Sequence, residues 1–149
     1  MATYARVAVA RSGSGFTVTS TAATLTAAAD FPEVATGSGT ITHFGVGRAS
    51  SGAGELLFKG TINPTIAIAA GVIPRLKTGT TITQAASDGM PNTTANNLLL
   101  LLLNNTTWAN IGDPTGIVGS TSAGSLYLSL HTADPGDSGN QTTSEVSYT

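Results

Sequence analysis

The sequence predicts a mainly β protein, an antiparallel β-sandwich of jelly-roll type with one prominent α-helix near residues 94–108. Short apolar-polar alternations recur about every 8 to 12 residues, the spacing of sandwich and barrel strands. Glycine-rich turns separate them, and the chain has 18 glycines in 149 residues. Leu98 to Leu103 are six leucines in a row between asparagine pairs. That run is far short of the roughly 18 residues that span a bilayer, so it must be buried in protein. A helix over this stretch, capped by Thr93 or Thr94, is apolar on every side, and such a helix is surrounded. A buried strand is the alternative, but leucine favours helix over strand.

Tyr4 to Arg11 reads as a strand, with Val7 and Val9 sharing a face. Ser12-Gly13-Ser14-Gly15 is a turn and Phe16-Thr17-Val18-Thr19 the next strand, which predicts a hairpin across the turn. Thr21 to Ala29 mixes helix-favouring alanine with threonine and stays open between helix and strand. Phe31-Pro32 closes it, because the residue before proline leaves the helical region. After Gly37-Ser38-Gly39, Thr40 to Val46 is a strand with Ile41 and His43 on one face and Thr42, Phe44 and Val46 on the other. Ser50 to Gly54 turns the chain, Glu55 to Gly60 is a short strand, and Asn63-Pro64 starts a separate one over Thr65 to Ala69. Gly71-Val72-Ile73-Pro74 leads into Arg75-Leu76-Lys77, and Thr80 to Thr83 is the last strand before the helix. Gly112-Asp113-Pro114 stops the helix, and Thr115 to Gly124 is a flexible connection. Leu126, Leu128 and Leu130 alternate with Tyr127, Ser129 and His131, the pattern of a half-buried strand. A turn-rich loop from Ala133 to Asn140 precedes a last strand-like segment, Glu145 to Tyr148.

A chain of 149 residues is most simply one domain, 1–149, with core enough to fold without disulfides or metals. It has no cysteine, which removes disulfide frameworks, thiolate metal sites and cysteine nucleophiles. Only 9% of its residues are charged, against about a quarter in ordinary globular domains. A surface that bland suits packing against copies of itself or a larger assembly. Six scattered basic residues and a net charge of −2 leave no footprint for nucleic acid, and no apolar run is long enough to enter a membrane. Met1-Ala2-Thr3-Tyr4 lacks the charged and apolar regions of a signal peptide, so the expectation is a chain made and assembled in the cytosol.

The most site-like cluster is His131 with Asp134 and Asp137. An imidazole and carboxylates beside a turn can bind a divalent ion or share acid-base work. Asp-Pro-Gly-Asp is also what a turn requires for its own backbone. The spacing does not follow an EF-hand loop, so calcium at Asp134 and Asp137 is the weaker reading. His43 reads as a sheet histidine. With two histidines and no Gly-x-Ser-x-Gly elbow, a Ser-His-Asp arrangement has no sequence support. Gly45-Val46-Gly47 and Ser51-Gly52-Ala53-Gly54 lie in no strand-loop-helix unit, which leaves a phosphate loop without its helix N-terminus. No catalytic residue, cofactor or metal site is expected. The expected interface residues are Leu98, Leu99, Leu100, Leu101, Leu102 and Leu103, together with Trp108, which serves equally as an anchor or a core residue.

Two sets of motifs resemble a known family. Leu128-Ser129-Leu130-His131-Thr132-Ala133-Asp134-Pro135-Gly136, followed by Thr143 to Tyr148, is similar to a signature of small tailed-phage virion proteins, labelled tail-fibre or capsid decoration proteins. Thr42-His43-Phe44-Gly45-Val46 and Ser51 to Gly60 match further motifs of that family, and the resemblance covers most of the chain. The order departs from it. Family members begin with the helix and end after the strand that matches Thr80 to Thr83, and their signature runs directly into a segment like Tyr4 to Val9. The expectation is therefore a circular permutant, with Met90 at the natural start, residues 85–91 as the joining linker and Tyr148-Thr149 once continuous with Thr3-Tyr4. Permutation is tolerated where the old termini lie close together.

What the resemblance implies is a non-enzymatic structural protein of a tailed-phage particle that self-assembles, as a trimer, and decorates or stabilises the capsid. Its place would be the virion, with assembly in the bacterial host cytoplasm. The expected partners are itself and phage capsid or tail proteins, and neither nucleic acid nor membrane. Each fully buried leucine is worth about 1.5 to 3 kcal/mol, more than a single sandwich needs from six of them. A threefold assembly uses one side of the helix on its own sheets and the other on symmetry mates. A tail-fibre or receptor-binding module is the alternative, and an engineered assembly or display scaffold is compatible with permutation.

Overall fold

The computed structural model describes residues 3–84 and 89–149. Among them the chain is mainly β with antiparallel sheets and one helix. The strands are β1 (Val7–Ala10), β2 (Phe16–Thr19), β3 (Ala22–Leu25), β4 (Ala29–Asp30), β5 (Gly39–Gly47), β6 (Leu56–Ile68), β7 (Arg75–Leu76) and β8 (Thr81–Thr83). The helix α1 (Asn92–Asn104) and strand β9 (Ser125–His131) follow. Four of the seven residues in the expected linker, 85–88, lie outside the described residues. The chain divides into two compact units.

One unit comprises Met1–Val9, Ala28–Leu76 and Leu126–Thr149. Its main sheet runs in the order β1-β9-β5-β6, and β4 pairs with β7 beside it. The expected face assignment of β5 needs a correction. A register shift between Ile41 and His43 breaks the alternation, so Ile41 is buried along with Phe44 and Val46 while His43 is only half-buried. Such a shift is what a bulge does to a strand's faces. A second correction concerns β6, one strand of 13 residues rather than two. Pro64 does not interrupt it because β6 is the outermost strand, where a missing N–H costs no ladder bond. Leu126, Leu128 and Leu130 are buried as their alternation predicts, but Ser129 and His131 are fully buried too. The last half of β9 is therefore covered on both faces. Glu145 to Tyr148 is not a strand; it follows β9 through a single bridge, His131 to Glu145, and through Val146 N–H to the Leu130 carbonyl at 2.9 Å.

Glycine makes one close approach possible here. The fully buried Gln141 side chain inserts against β5, and a Cβ on Gly47 would stand 2.0 Å from its Cδ. Its Oε1 accepts the Ala49 N–H at 2.9 Å, and the Gln141 backbone N–H donates to the Gly54 carbonyl at 2.9 Å. One residue thus fixes the loop that joins β5 to β6.

The other unit comprises Ala10–Ala27 and Lys77–Ser125. Its sheet runs β2-β3-β8, and α1 packs on β2 and β3. The open segment after Thr21 is strand, and β2 pairs with it across a tight turn at Ser20 and Thr21, with Ser20 at φ 53°. The hairpin expected between β1 and β2 does not form. The Gly15 and Phe16 N–H groups both turn back to the Ser12 carbonyl, at 2.9 and 3.0 Å, and β1 belongs to the other sheet. Phe16, Ala23, Leu25 and Ile82 form the core with Ala95, Leu99 and Leu103. The helix is shorter than expected. It starts after Pro91 with no side-chain cap from Thr93 or Thr94, and Asn105 at φ 54° ends it well before Trp108. Asparagine tolerates that left-handed conformation better than other residues with a Cβ.

The Gly47 approach yields a direct test. Gly47→Ala forces the Gln141 side chain out of its slot and is expected to destabilise the fold by about 1–3 kcal/mol in urea unfolding. Gly13→Ala, where an added Cβ meets nothing within 4 Å, should stay within about 0.5 kcal/mol of the parent.

Candidate functional site

The six leucines of the predicted interface sit on α1. Ala95, Leu99 and Leu103 are spaced by four and form the stripe buried on the sheet of that unit. Leu98, Leu100, Leu101 and Leu102 are half-buried. Leu101 points about 200° around the helix from Leu99, at about 100° per residue, so it lies opposite the packed stripe. Trp108 is not on the helix. It is half-buried in an isolated bridge, in which its N–H and carbonyl exchange hydrogen bonds with Ile117 at 2.9 Å each.

The C-terminal end of α1 is held by a residue that the sequence did not single out. Arg11 donates to the carbonyls of Leu101 and Leu102 at 2.5 and 2.7 Å, and to Asn105 Oδ1 and Ser120 Oγ at 2.9 and 3.2 Å. A guanidinium there satisfies carbonyls that the helix leaves open and complements its dipole. Asn105 donates to the Ser120 carbonyl and accepts the Ser120 N–H, so the segment after the helix is tied to the helix end. At the tip of this segment, Asp113 accepts from the Thr115 hydroxyl, the Thr115 N–H and the Gly116 N–H. These donors hold its carboxyl below the usual carboxylate range, with the Thr115 hydroxyl first. The tip and its flank expose Ile111 at 44%, Ile117 at 43% and Val118 at 64%. The signal for these was present: three large apolar residues stand alone in a run of hydroxyl, amide and glycine residues. No signal pointed from Arg11 to a helix end about ninety positions away.

The site-like cluster in the other unit comes apart. Asp134 and Asp137 both face Lys59, at 2.7 and 3.3 Å, and that ammonium lowers the Asp134 carboxyl. His131 points elsewhere, fully buried, with Nδ1 2.8 Å from the Thr143 carbonyl and Nε2 2.8 Å from Ser129 Oγ. A carbonyl accepts only, so Nδ1 carries the proton and Nε2 takes the Ser129 hydroxyl. Serine beside histidine resembles a nucleophile and its base, but both are sealed from solvent and the third group is a carbonyl, not a carboxylate. Gly45 makes the pair possible, since a Cβ there would stand 2.7 Å from Ser129 Oγ. The arrangement can lock strands and cannot receive a substrate. His43 stands opposite His131 across β5 and β9, its Nδ1 2.8 Å from Thr42 Oγ. Among the described residues, no group of three or more histidine, aspartate or glutamate side chains has a geometry fit to hold a metal, and no helix is long and apolar enough to cross a membrane.

Residues 1–84 match the protein family described as Podophage GP4 fiber I protein gp80. That is more than half of the 149-residue chain, and the chain belongs to this family. The family is one of structural phage fibre proteins and not of enzymes. No curated protein and no solved structure matches the chain.

Burial pushes the His131 imidazole below its ordinary 6.5, and Arg6 and His43 act in the same direction against the pull of the Thr143 carbonyl and Glu145. Below about pH 6.5 the unfolded chain takes a proton that the folded chain refuses, so stability falls with pH until the folded imidazole titrates. The lowered carboxyls of Asp30, Asp113 and Asp134 add losses only in more acid solution, near and below about pH 4. The urea midpoint is therefore expected to fall between pH 7 and pH 5. In His131→Gln it should start lower and decline less over that interval; an unchanged slope would mean another group is responsible.

Proposed function

We propose that this member of the podophage fibre family is a self-associating structural subunit of the virion, built into a fibre, and that the unit carrying α1 makes the contact between copies. The carrying observation is the concentration of apolar surface in that unit. Its helix bears six leucines, of which four remain half-buried, and the segment after it exposes Ile111, Ile117 and Val118. Large exposed apolar residues that fall together mark association surfaces, whereas single ones do not. The segment from Asn105 to Ser125 carries one charge, Asp113, and its carboxylate is engaged by its own turn. Burial between copies thus costs little charge desolvation. A threefold arrangement suits a helix apolar on more than one side. The same associative chemistry would serve a capsid-decorating subunit, and the family's description as a fibre protein favours the fibre. Assembly in the host cytoplasm, with itself and other particle proteins as partners, belongs to the same reading.

A rearranged chain order is part of the proposal. It is supported by the chain's two ends, where the Tyr4 N–H donates to the Tyr148 carbonyl at 3.0 Å and the two rings meet edge to face at 5.5 Å. The family match, which ends at residue 84, also stops at the expected junction.

Two measurements test these readings. Sedimentation at micromolar concentration should give a trimer for the parent chain. The pair Ile117→Asp and Val118→Asp, at exposed positions outside the buried core, should give a folded monomer. A parent that is monomeric, or a doubly substituted chain that stays trimeric, would sink the association. For the order, a chain restarted at Met90 with Thr149 joined to Thr3 should keep the circular dichroism and urea midpoint of the parent, and failure to fold would reject it.

A further inference from the structure

The outer edge of β6 borders a groove. Among the described residues β6 ends the four-stranded sheet and pairs with β5 on one side. A cavity of about 290 Å³ is lined by Leu56, Leu57, Phe58 and Lys59 of this strand and by Gly136, Asp137 and Gly139 of the loop after β9. Successive residues of a strand point to opposite faces. A register shift opposite Val46 and Gly47 interrupts that alternation here, and a cavity that takes in all four residues of the outermost strand reaches its backbone. The volume falls just below the roughly 300–1,000 Å³ of small-molecule pockets, as fits a slot beside main chain.

The facing wall is fixed in shape. The Gly136 N–H donates to Asp134 Oδ1 at 2.9 Å, and a Cβ on Gly139 would stand 2.1 Å from the Pro135 carbonyl oxygen. Lys59 ties this loop to the strand through Asp134 and Asp137. Edge strands are commonly blunted by proline or by an outstretched lysine. Here Pro64 blunts the second half of β6, whereas the lysine of the first half is turned onto the loop and guards nothing. One ammonium against two carboxylates leaves the groove with a net charge of −1, and the Asp137 side chain is fully exposed.

We propose that the β6 edge at Leu56–Gly60 accepts an extended peptide segment of another protein as an added strand, with a basic side chain of that segment set against Asp137. Main-chain hydrogen bonds along the edge supply the attachment and the carboxylate supplies the selection. A second copy of this chain is the poorer occupant, because pairing β6 with β6 brings two grooves of the same negative sign together. The inference is independent of the contact proposed for the α1 unit.

The test uses the full chain and a synthetic heptapeptide of alternating threonine and valine with a central lysine. Saturating peptide is expected to slow amide exchange within Leu56–Gly60 by about tenfold. Asp137→Asn should weaken binding about two- to fivefold, as loss of an exposed ion pair does. The same peptide N-methylated at alternate amides should not bind. Equal binding of the methylated peptide, or no protection of these amides, overturns the proposal. So does protection that rises with protein concentration in the absence of peptide, which would place a second copy on the edge.

Discussion

The unit built on the four-stranded sheet depends on one buried ion pair. The Arg6 guanidinium, 3% exposed, grips both oxygens of Glu145 at 2.7 Å and donates to the carbonyls of Ala49 and Gly52 at 3.0 and 2.8 Å. Glu145 also receives the Tyr4 hydroxyl at 3.0 Å, and that hydroxyl accepts the Leu130 N–H. One cluster therefore joins the start of the chain, the loop between β5 and β6, the strand β9 and the end of the chain. A bidentate pair of this kind is the geometry in which arginine excels. Its value lies in placement as much as in energy, since either charge left alone in that position would be strongly destabilising. The phenol of Tyr4 stays protonated far beyond its ordinary range, because burial opposes its charge and Glu145 adds to the cost.

Packing around this cluster explains why the neighbouring polar groups are structural. Tyr4 stacks on Phe31 at 6.2 Å and meets Tyr148 edge on, and the Tyr148 hydroxyl donates to the Pro32 carbonyl at 2.7 Å. Burial pushes the Tyr148 phenol up to about 12. The His131 ring nitrogens, the Ser129 hydroxyl and Gln141 Oε1 all find partners within the same unit. Asp134 and Asp137 are the outward part, and they close on Lys59. The split of the expected His131–Asp134–Asp137 cluster follows from alternation: His131 ends a strand facing inward, and the two aspartates belong to the loop that leaves it.

Much of the fold was legible because it rests on local rules. The turn at Ser12–Gly15, the strand periods of β2 and β9 with Leu126, Leu128 and Leu130 inward, and a helix over the leucine run all follow from residue type and period. Pairing was less legible. Whether β2 joins β1 or β3 turns on Ser20 taking a left-handed conformation, and serine does not advertise that. The register shift in β5 moved Ile41 to the core, and no single residue announces a bulge. The helix end was misplaced because the strong stop at Gly112-Asp113-Pro114 outweighed a quieter one at Asn105. The proposed association surface was half legible: the leucines were plain, whereas Ile111, Ile117 and Val118 gain meaning only once the segment bearing them is seen tied to the helix through Asn105.

The scarcity of charge then takes on a different sense from mere blandness. The chain has six basic residues, and five are committed inside their own unit. Arg6 holds Glu145, Arg11 the end of α1, Arg48 Glu55, Lys59 two aspartates and Arg75 Asp30. Charges used in this way shape loops and helix ends and project little field. What faces outward is dominated by hydroxyls, amides, glycine backbone and a few apolar side chains, so a partner finds no long-range steering. Recognition must then come from contact itself, through buried apolar area and main-chain hydrogen bonds. Those forces act only at short range and reward fixed shape, which is what Arg6, Arg11, Asn105 and Gln141 supply.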